Sequence, residues 1–201
     1  MDPQSRARVW LRHVPNALSL ARVLSAPVLV WLATGGHRAA FTWVLVPALL
    51  SDIADGLIAR ALALESPLGA FLDSLADTLL WFVSIYGIWC FHRDVLAEHA
   101  LLCGATAGFW ALEYGVALLR YGRLSSFHTY LSKVAGYAMG IYIGVLFVFG
   151  QHDWLLYLAC GASLLGNAEE FALLALLPRW RANVGTVLHV VRERRSAESA
   201  A

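Results

Sequence analysis

The sequence predicts an all-α polytopic membrane protein with six transmembrane helices. Of its 201 residues, 59% are hydrophobic and 14% are charged, and the mean hydropathy is +0.62. This composition is too apolar for an ordinary soluble domain. Six apolar segments reach the roughly 20 residues that a helix needs to cross a bilayer. These segments are about 15–34, 39–62, 69–91, 95–119, 129–150 and 153–177.

The breaks between the segments are polar or rich in turn-forming residues. In chain order they read "TGGHR", "ALESPLG", "FHRD", "RYGRLSSFH" and "GQHD", and Gly and Pro at such places end helices. Residues 1–13, ahead of the first segment, alternate basic and apolar groups. A short interfacial helix and a disordered basic tail both fit this pattern. No internal repeat or long linker interrupts the chain, which predicts a single domain over 1–201.

Basic residues are unevenly distributed between the two ends of the predicted spans. Six spans place both termini on one side, together with the second and fourth connections. That side holds Arg6, Arg8, Arg12, Arg60, Arg120, Arg123, Lys133, Arg179, Arg181, Arg192, Arg194 and Arg195, with Arg22 nearer to it than to the other side. The opposite side holds Arg38 and Arg93. The positive-inside rule therefore predicts that both termini are cytoplasmic.

Four aspartates interrupt the second and third segments. Asp52 and Asp55 are three residues apart, and Asp73 and Asp77 are four apart, so each pair lies on one face of its helix. A short connection makes the two helices antiparallel neighbours, which brings the pairs toward one cluster near the cytoplasmic end. Ionised groups inside a membrane are costly unless they meet water, cations or one another.

Close carboxylates require compensating positive charge, and hard divalent cations with oxygen ligands supply it. A site with two divalent cations, Mg²⁺ or Mn²⁺, suits a phosphate-bearing substrate. Small or polar neighbours fit this prediction, since Gly56 and Ala59 allow close approach and Arg60 suits a phosphate oxygen. A proton or cation path is the competing interpretation, because intramembrane acids also mark ion routes.

The spacing of these residues resembles the signature of the CDP-alcohol phosphotransferases. It reads Asp52-x-x-Asp55-Gly56-x-x-Ala59-Arg60, eight residues, then Gly69-x-x-x-Asp73-x-x-x-Asp77. The stretch "VPNALSLARVLSAP" also looks like the first helix of the bacterial phospholipid synthases. The resemblance implies a bacterial inner-membrane enzyme, a homodimer, in which an alcohol hydroxyl attacks CDP-diacylglycerol and CMP leaves.

The resemblance also implies roles for individual residues. Asp52, Asp55, Asp73 and Asp77 bind metal, and Asp77 also serves as the general base. The implied contacts to the CDP donor are Asn16, Ser19, Gly56, Ala59, Arg60, Ser66 and Gly69.

A second polar cluster, "RYGRLSSFHTYLSKVAGY", predicts the acceptor site. Arg123, Ser132 and Lys133 suit an anionic acceptor, although a positive loop with a snorkelling lysine is the structural alternative. Glycerol 3-phosphate is the first acceptor expected, followed by inositol phosphate, serine and a second phospholipid. Ser74 and Thr78 stand where phosphatidylglycerolphosphate synthases carry proline and lysine, which leaves the acceptor open.

Overall fold

In a computed structural model of the chain, every secondary-structure element of the described residues is a helix. The described backbone covers residues 3–62, 67–122, 129–176, 185–187, 190 and 192. The described side chains are those of residues 16–51, 69, 71–122, 129–176, 185–187, 190 and 192. The helices are α1 (Pro3–Thr34), α2 (Arg38–Leu62), α3 (Pro67–Phe91), α4 (Arg93–Glu98), α5 (Ala100–Tyr121), α6 (Tyr130–Phe149) and α7 (Asp153–Leu176). The all-α prediction is confirmed for this part of the chain.

The chain divides into two compact units, Met1–Ala97 and Glu98–Ala201. In the first unit, α1 packs against both α2 and α3. Leu29 of α1 and Phe41 of α2 are fully buried there. The Phe41 ring lies 5.4 Å from the ring of Phe91 at the end of α3. The interpretation of residues 1–201 as one domain stays a prediction.

In the second unit, α7 packs against both α5 and α6. Phe109 and Phe171 stack between α5 and α7 with their ring centroids 4.9 Å apart. Gly166 is the close contact between α6 and α7, because a Cβ there would lie 3.3 Å from the Cα of Ser132. Fully buried Leu146 and Ala159 lie in the same unit.

Glycines end two of the helices where the sequence predicted breaks. Gly36, between α1 and α2, has φ +72°, and the neighbouring His37 N–H donates to the Leu32 carbonyl at 2.9 Å. Gly122, after α5, has φ +64° and donates to the Leu118 carbonyl at 2.8 Å. Both lie in the left-handed region that glycine adopts without steric cost.

Four helices of the described chain are long and apolar enough to cross a membrane. These segments are Asn16–Thr34, Phe71–Phe91, Ala100–Tyr121 and Tyr130–Phe149. Large apolar side chains on these helices are exposed, including Trp31, Leu101 and Leu119, as expected where lipid covers them. These features indicate a multi-pass membrane protein.

The predicted number of six spans is not confirmed. The described apolar part of α2 is the shorter segment Arg38–Ser51, and α7 contains Asn167, Glu169 and Glu170, which lower its hydropathy. For residues 1–13 the sequence allowed a short interfacial helix or a disordered tail, whereas the chain is helical from Pro3 as the first turns of α1.

Candidate active site at the α1–α3 contact

Asp73 and Asp77 lie one turn apart near the beginning of α3, and both contact one arginine of α1. Arg22 donates from Nη2 to Asp73 Oδ1 at 2.6 Å and from Nη1 to Asp77 Oδ1 at 3.0 Å. One planar guanidinium thus bridges two separate carboxylates. The structure therefore brings together two of the four predicted aspartates and adds a cation that was not among the predicted site residues.

Arg22 lies on the buried face of α1. Ser19, Arg22, Ala26 and Leu29 are each at most 4% exposed, and their spacing of three or four residues forms one helical stripe. A buried charge is costly unless it is paired and hydrogen-bonded. The two aspartates supply that pairing, and they remain about half exposed, at 48% and 49%.

The predicted donor-binding residues fall into a described and an undescribed group. Ser19 is buried one turn before Arg22, and Asn16 is half-buried at the preceding turn of α1. Gly69 lies on α3 one turn before Asp73. Asp52, Asp55, Gly56, Ala59 and Arg60 lie on α2, but their side chains are outside the described residues, and Ser66 is outside them altogether. The convergence of all four aspartates stays a prediction.

The donor atoms of the described aspartates fit a hard divalent cation. Magnesium prefers carboxylate oxygens and commonly binds one or two carboxylates plus substrate phosphates. Asp73 and Asp77 each direct one oxygen to Arg22 and are half exposed. Among the described side chains there is no group of three or more His, Cys, Asp or Glu placed to hold a metal ion. A site with more ligands depends on Asp52 and Asp55.

Two of the predicted acceptor residues lie at the beginning of α6. Fully buried Thr129 caps the helix by accepting from the Ser132 N–H at 3.1 Å. The Ser132 hydroxyl donates to the Thr129 carbonyl at 3.0 Å, so it takes part in the cap. Lys133 is exposed, with Nζ 5.9 Å from the ring centroid of Tyr130. Arg123 lies outside the described residues.

Two of the described residues after α7 pack on the protein. Val190 is buried with Ala117, Leu173 and Leu174. The Val187 N–H donates to Glu169 Oε1 at 3.2 Å. Glu169 of α7 thus contacts the backbone at Val187.

Comparison with known proteins identifies the family of the chain. The family model described as CDP-alcohol phosphatidyltransferase matches residues 12–165, which include α1 from residue 12 onward and all of α2 and α3. The chain belongs to this family. The resemblance predicted from the aspartate spacing is confirmed.

Individual relatives differ in how much of the chain they match. A Mycobacterium bovis protein provisionally named a cardiolipin synthase is 34% identical over 166 residues, covering 76% of this chain and 73% of its own. An Arabidopsis thaliana CDP-diacylglycerol–glycerol-3-phosphate 3-phosphatidyltransferase is 40% identical over 70 residues, or 33% of this chain and 30% of its own. A Saccharomyces cerevisiae CDP-diacylglycerol–inositol 3-phosphatidyltransferase is 35% identical over 86 residues, which cover 40% of this chain and 39% of its own. No solved structure matches the chain.

Proposed function

We propose that this family member transfers a phosphatidyl group from CDP-diacylglycerol to an alcohol hydroxyl and releases CMP, in phospholipid biosynthesis. The observation that carries the proposal is the bridging of Asp73 and Asp77 by Arg22. These two aspartates are the second half of the family signature. Two carboxylates held beside each other can bind the divalent cations that a diphosphate needs.

Asp77 acts as the general base in this proposal. The acceptor hydroxyl loses its proton to Asp77 while its oxygen forms a bond to the β-phosphorus. The bond from that phosphorus to the bridging oxygen breaks, and its electron pair leaves with CMP. Phosphoryl transfer of this kind depends mainly on positioning and charge neutralisation, for which Arg22 and Asp73 lie beside the base.

Divalent cations, Mg²⁺ or Mn²⁺, complete the proposed site. Asp52, Asp55, Asp73 and Asp77 would hold them, since carboxylates are the usual protein ligands of Mg²⁺. When bound, the cations neutralise phosphate charge and acidify a coordinated hydroxyl. Asn16, Ser19, Gly69 and the signature residues of α2 are the proposed contacts of the CDP donor.

The acceptor in this proposal carries a glycerol hydroxyl close to a phosphate. Glycerol 3-phosphate has this chemistry, and the partial match to the plant glycerol-3-phosphate enzyme supports it. A glycerol-containing phospholipid is the second candidate. The match that extends over most of the chain favours it, because that relative is named for cardiolipin synthesis.

An acceptor panel separates these possibilities. Purified protein is supplied with CDP-diacylglycerol, Mg²⁺ or Mn²⁺, and one acceptor at a time: glycerol 3-phosphate, phosphatidylglycerol, inositol phosphate or serine. We expect acceptor-dependent CMP release with a glycerol-based acceptor. Absence of CMP release with every acceptor would contradict the proposed reaction, whereas release with serine or inositol phosphate alone would change the acceptor.

We also propose a six-span arrangement in the bacterial inner membrane with cytoplasmic termini, as the basic residues predict. The 24-residue length of α7 and the 25-residue length of α2 support six spans. Reporter fusions after residue 36 and after residue 201 test the arrangement. The first fusion should report the periplasm and the second the cytoplasm.

A cation-conducting protein, the alternative from another class, has no support in the family membership.

A further inference from the structure

We propose that Arg22 is a positioning residue that holds Asp73 and Asp77 for catalysis and competes with divalent cations for the same carboxylates. The proposal rests on the proposed function, because it concerns the metal ligands of that reaction. It assigns to α1 a part in setting metal affinity, in addition to packing.

The geometry is that of a single clamp. The two Nη atoms of Arg22 each reach an Oδ1 atom, one on each aspartate, at 2.6 Å and 3.0 Å. Because the guanidinium is planar and its donors are fixed relative to one another, these two contacts fix the carboxylates relative to each other. An ammonium group presents one nitrogen and cannot impose the same arrangement.

The burial pattern makes the clamp a fixed part of the protein. Arg22 is 2% exposed, whereas both aspartates are about half exposed. The guanidinium therefore approaches the carboxylates from the protein interior, and about half of each aspartate side chain is exposed. A divalent cation that binds these aspartates meets carboxylates whose charge Arg22 already partly offsets.

Electrostatics then gives the direction of the effect. Two opposite charges about 4 Å apart attract strongly in a partly buried site. A positive charge that already lies beside a carboxylate therefore weakens the binding of a second cation to that carboxylate. Removal of the Arg22 charge should strengthen the attraction of Asp73 and Asp77 for a divalent cation. The same change should release the two carboxylates from their common orientation, and turnover should fall.

The test measures Mn²⁺ binding without turnover. Wild type, Arg22→Gln and Arg22→Lys are purified, stripped with EDTA and titrated with Mn²⁺ by calorimetry. Arg22→Gln should bind Mn²⁺ about tenfold more tightly, which corresponds to about 1.4 kcal/mol. Arg22→Lys should show a smaller increase in Mn²⁺ affinity, because lysine retains the positive charge but lacks the two donors of the planar guanidinium.

Arg38→Gln is the matched control. Arg38 is an exposed arginine at the beginning of α2, so its removal changes the net charge equally without touching the aspartates. Its Mn²⁺ affinity should equal that of wild type. An equal rise in both glutamine variants would show a general charge effect and would overturn the clamp.

Thermal unfolding supplies the second measurement. In EDTA, Arg22→Gln should unfold below wild type, because two adjacent carboxylates lose their cation. Mn²⁺ should raise the unfolding temperature of Arg22→Gln more than that of wild type, because an ion that binds the folded protein more tightly stabilises the fold more. If Arg22→Gln is not recovered folded, Arg22→Lys alone decides by the same titration.

Each outcome has a separate meaning. Weaker or unchanged Mn²⁺ binding in the Arg22 variants overturns competition, even if wild type is active. If the Arg22 variants show the predicted changes in Mn²⁺ affinity but wild type releases no CMP with any acceptor, the proposed function is contradicted instead. Tighter binding together with a lower kcat in the Arg22 variants supports both.

Discussion

Arg22 joins the buried face of α1 to two half-exposed carboxylates of α3. The contact explains how an arginine is accommodated in a segment long and apolar enough to cross a membrane. A charge in such a segment is costly unless it is paired within the protein. At the residue scale, the same atoms therefore serve packing and, in our proposal, chemistry.

Asp77→Asn should retain the fold and donor binding but lose most of its transfer activity. An amide cannot accept the proton of the acceptor hydroxyl, and a positioned general base contributes about 10²–10⁴-fold. Steady-state CMP release and equilibrium binding of CDP-diacylglycerol measure the two effects. Asp94→Asn, at an exposed acid in the first turn of α4, is the control. Equal turnover of Asp77→Asn and wild type would remove Asp77 from the base role.

Lys133→Ala should raise the acceptor KM by about one to two orders of magnitude if the acceptor carries a phosphate. A charge-assisted hydrogen bond is worth roughly 1.5–3 kcal/mol, and 1.4 kcal/mol is a factor of ten. The exposed ammonium over the Tyr130 ring is available for such a contact. Kinetics with each substrate varied in turn should show little change for the donor. A collapse of donor affinity alone would mean that Lys133 serves the other substrate.

The spacing of the sequence predicted the aspartate pairs, but it did not predict that Arg22 contacts one of them. The signature aspartates are recognisable because fixed intervals place them on helix faces. Arg22 belongs to a different helix, and nothing local specifies which residue it meets. The available signal was an arginine in an apolar span, which demands a partner. Ser132 was predicted as an acceptor ligand, and its cap interaction with Thr129 became visible only in three dimensions.

At the scale of elements, the contact between α6 and α7 depends on the absence of a side chain at Gly166. A Cβ there would lie 3.3 Å from Ser132 Cα and 3.4 Å from its N atom. Both atoms belong to the backbone, which yields less readily than a side chain. Small residues at such positions let helices approach closely in membranes.

Gly166→Ala should lower the unfolding temperature, because separating the helices costs about 1–3 kcal/mol of packing. Gly161→Ala on the same helix is the matched control, since a Cβ there has no neighbour within 4 Å. That control should be neutral or stabilising, because alanine is favoured over glycine in helices by up to about 1 kcal/mol. Equal behaviour of the two variants in thermal unfolding would contradict the role assigned to Gly166.

The helices themselves were largely predictable, because apolar length and turn-forming breaks are local properties. The predicted ends at "TGGHR" and after Tyr121 coincide with Gly36 and Gly122. The short helix α4 was missed, since six residues carry too little periodicity to be recognised. The continuity of α1 through residues 3–13 was missed because the alternating basic and apolar pattern of this segment does not specify whether it joins the following helix.

At the scale of the whole molecule, His92 links stability to pH. Burial lowers the pKa of His92 from 6.5, and the nearby Arg38 lowers it further, while Asp94 opposes both. The unfolded chain therefore binds a proton more readily than the folded one below pH 6.5. Stability is retained above that pH and is lost as pH falls toward the lower folded pKa.

His92→Gln should reduce this pH dependence. We expect the unfolding temperature of wild type to fall more between about pH 7.5 and 5.5 than that of the variant. Arg38→Gln should give an intermediate slope, because it removes one of the two groups that lower the pKa. Parallel profiles for all three proteins would show that His92 does not contribute.

The homodimer implied by the family resemblance stays a prediction at this scale. Light scattering of the detergent-solubilised protein, corrected for bound detergent, measures the mass against the 22.0 kDa chain. A mass of one chain at assay concentrations would contradict the dimer without affecting the proposed reaction.

Phosphatidyl transfer itself is tested most directly by following both products of one donor molecule. CDP-diacylglycerol labelled in its acyl chains is incubated with protein, Mg²⁺ and the acceptor identified by the panel, and CMP and labelled lipid are quantified together. We predict one new acceptor-containing lipid for each CMP released by wild type, and a loss of both products by about 10²–10⁴-fold in Asp77→Asn. Release of CMP without the new lipid, or no release from wild type with any acceptor, would contradict the account.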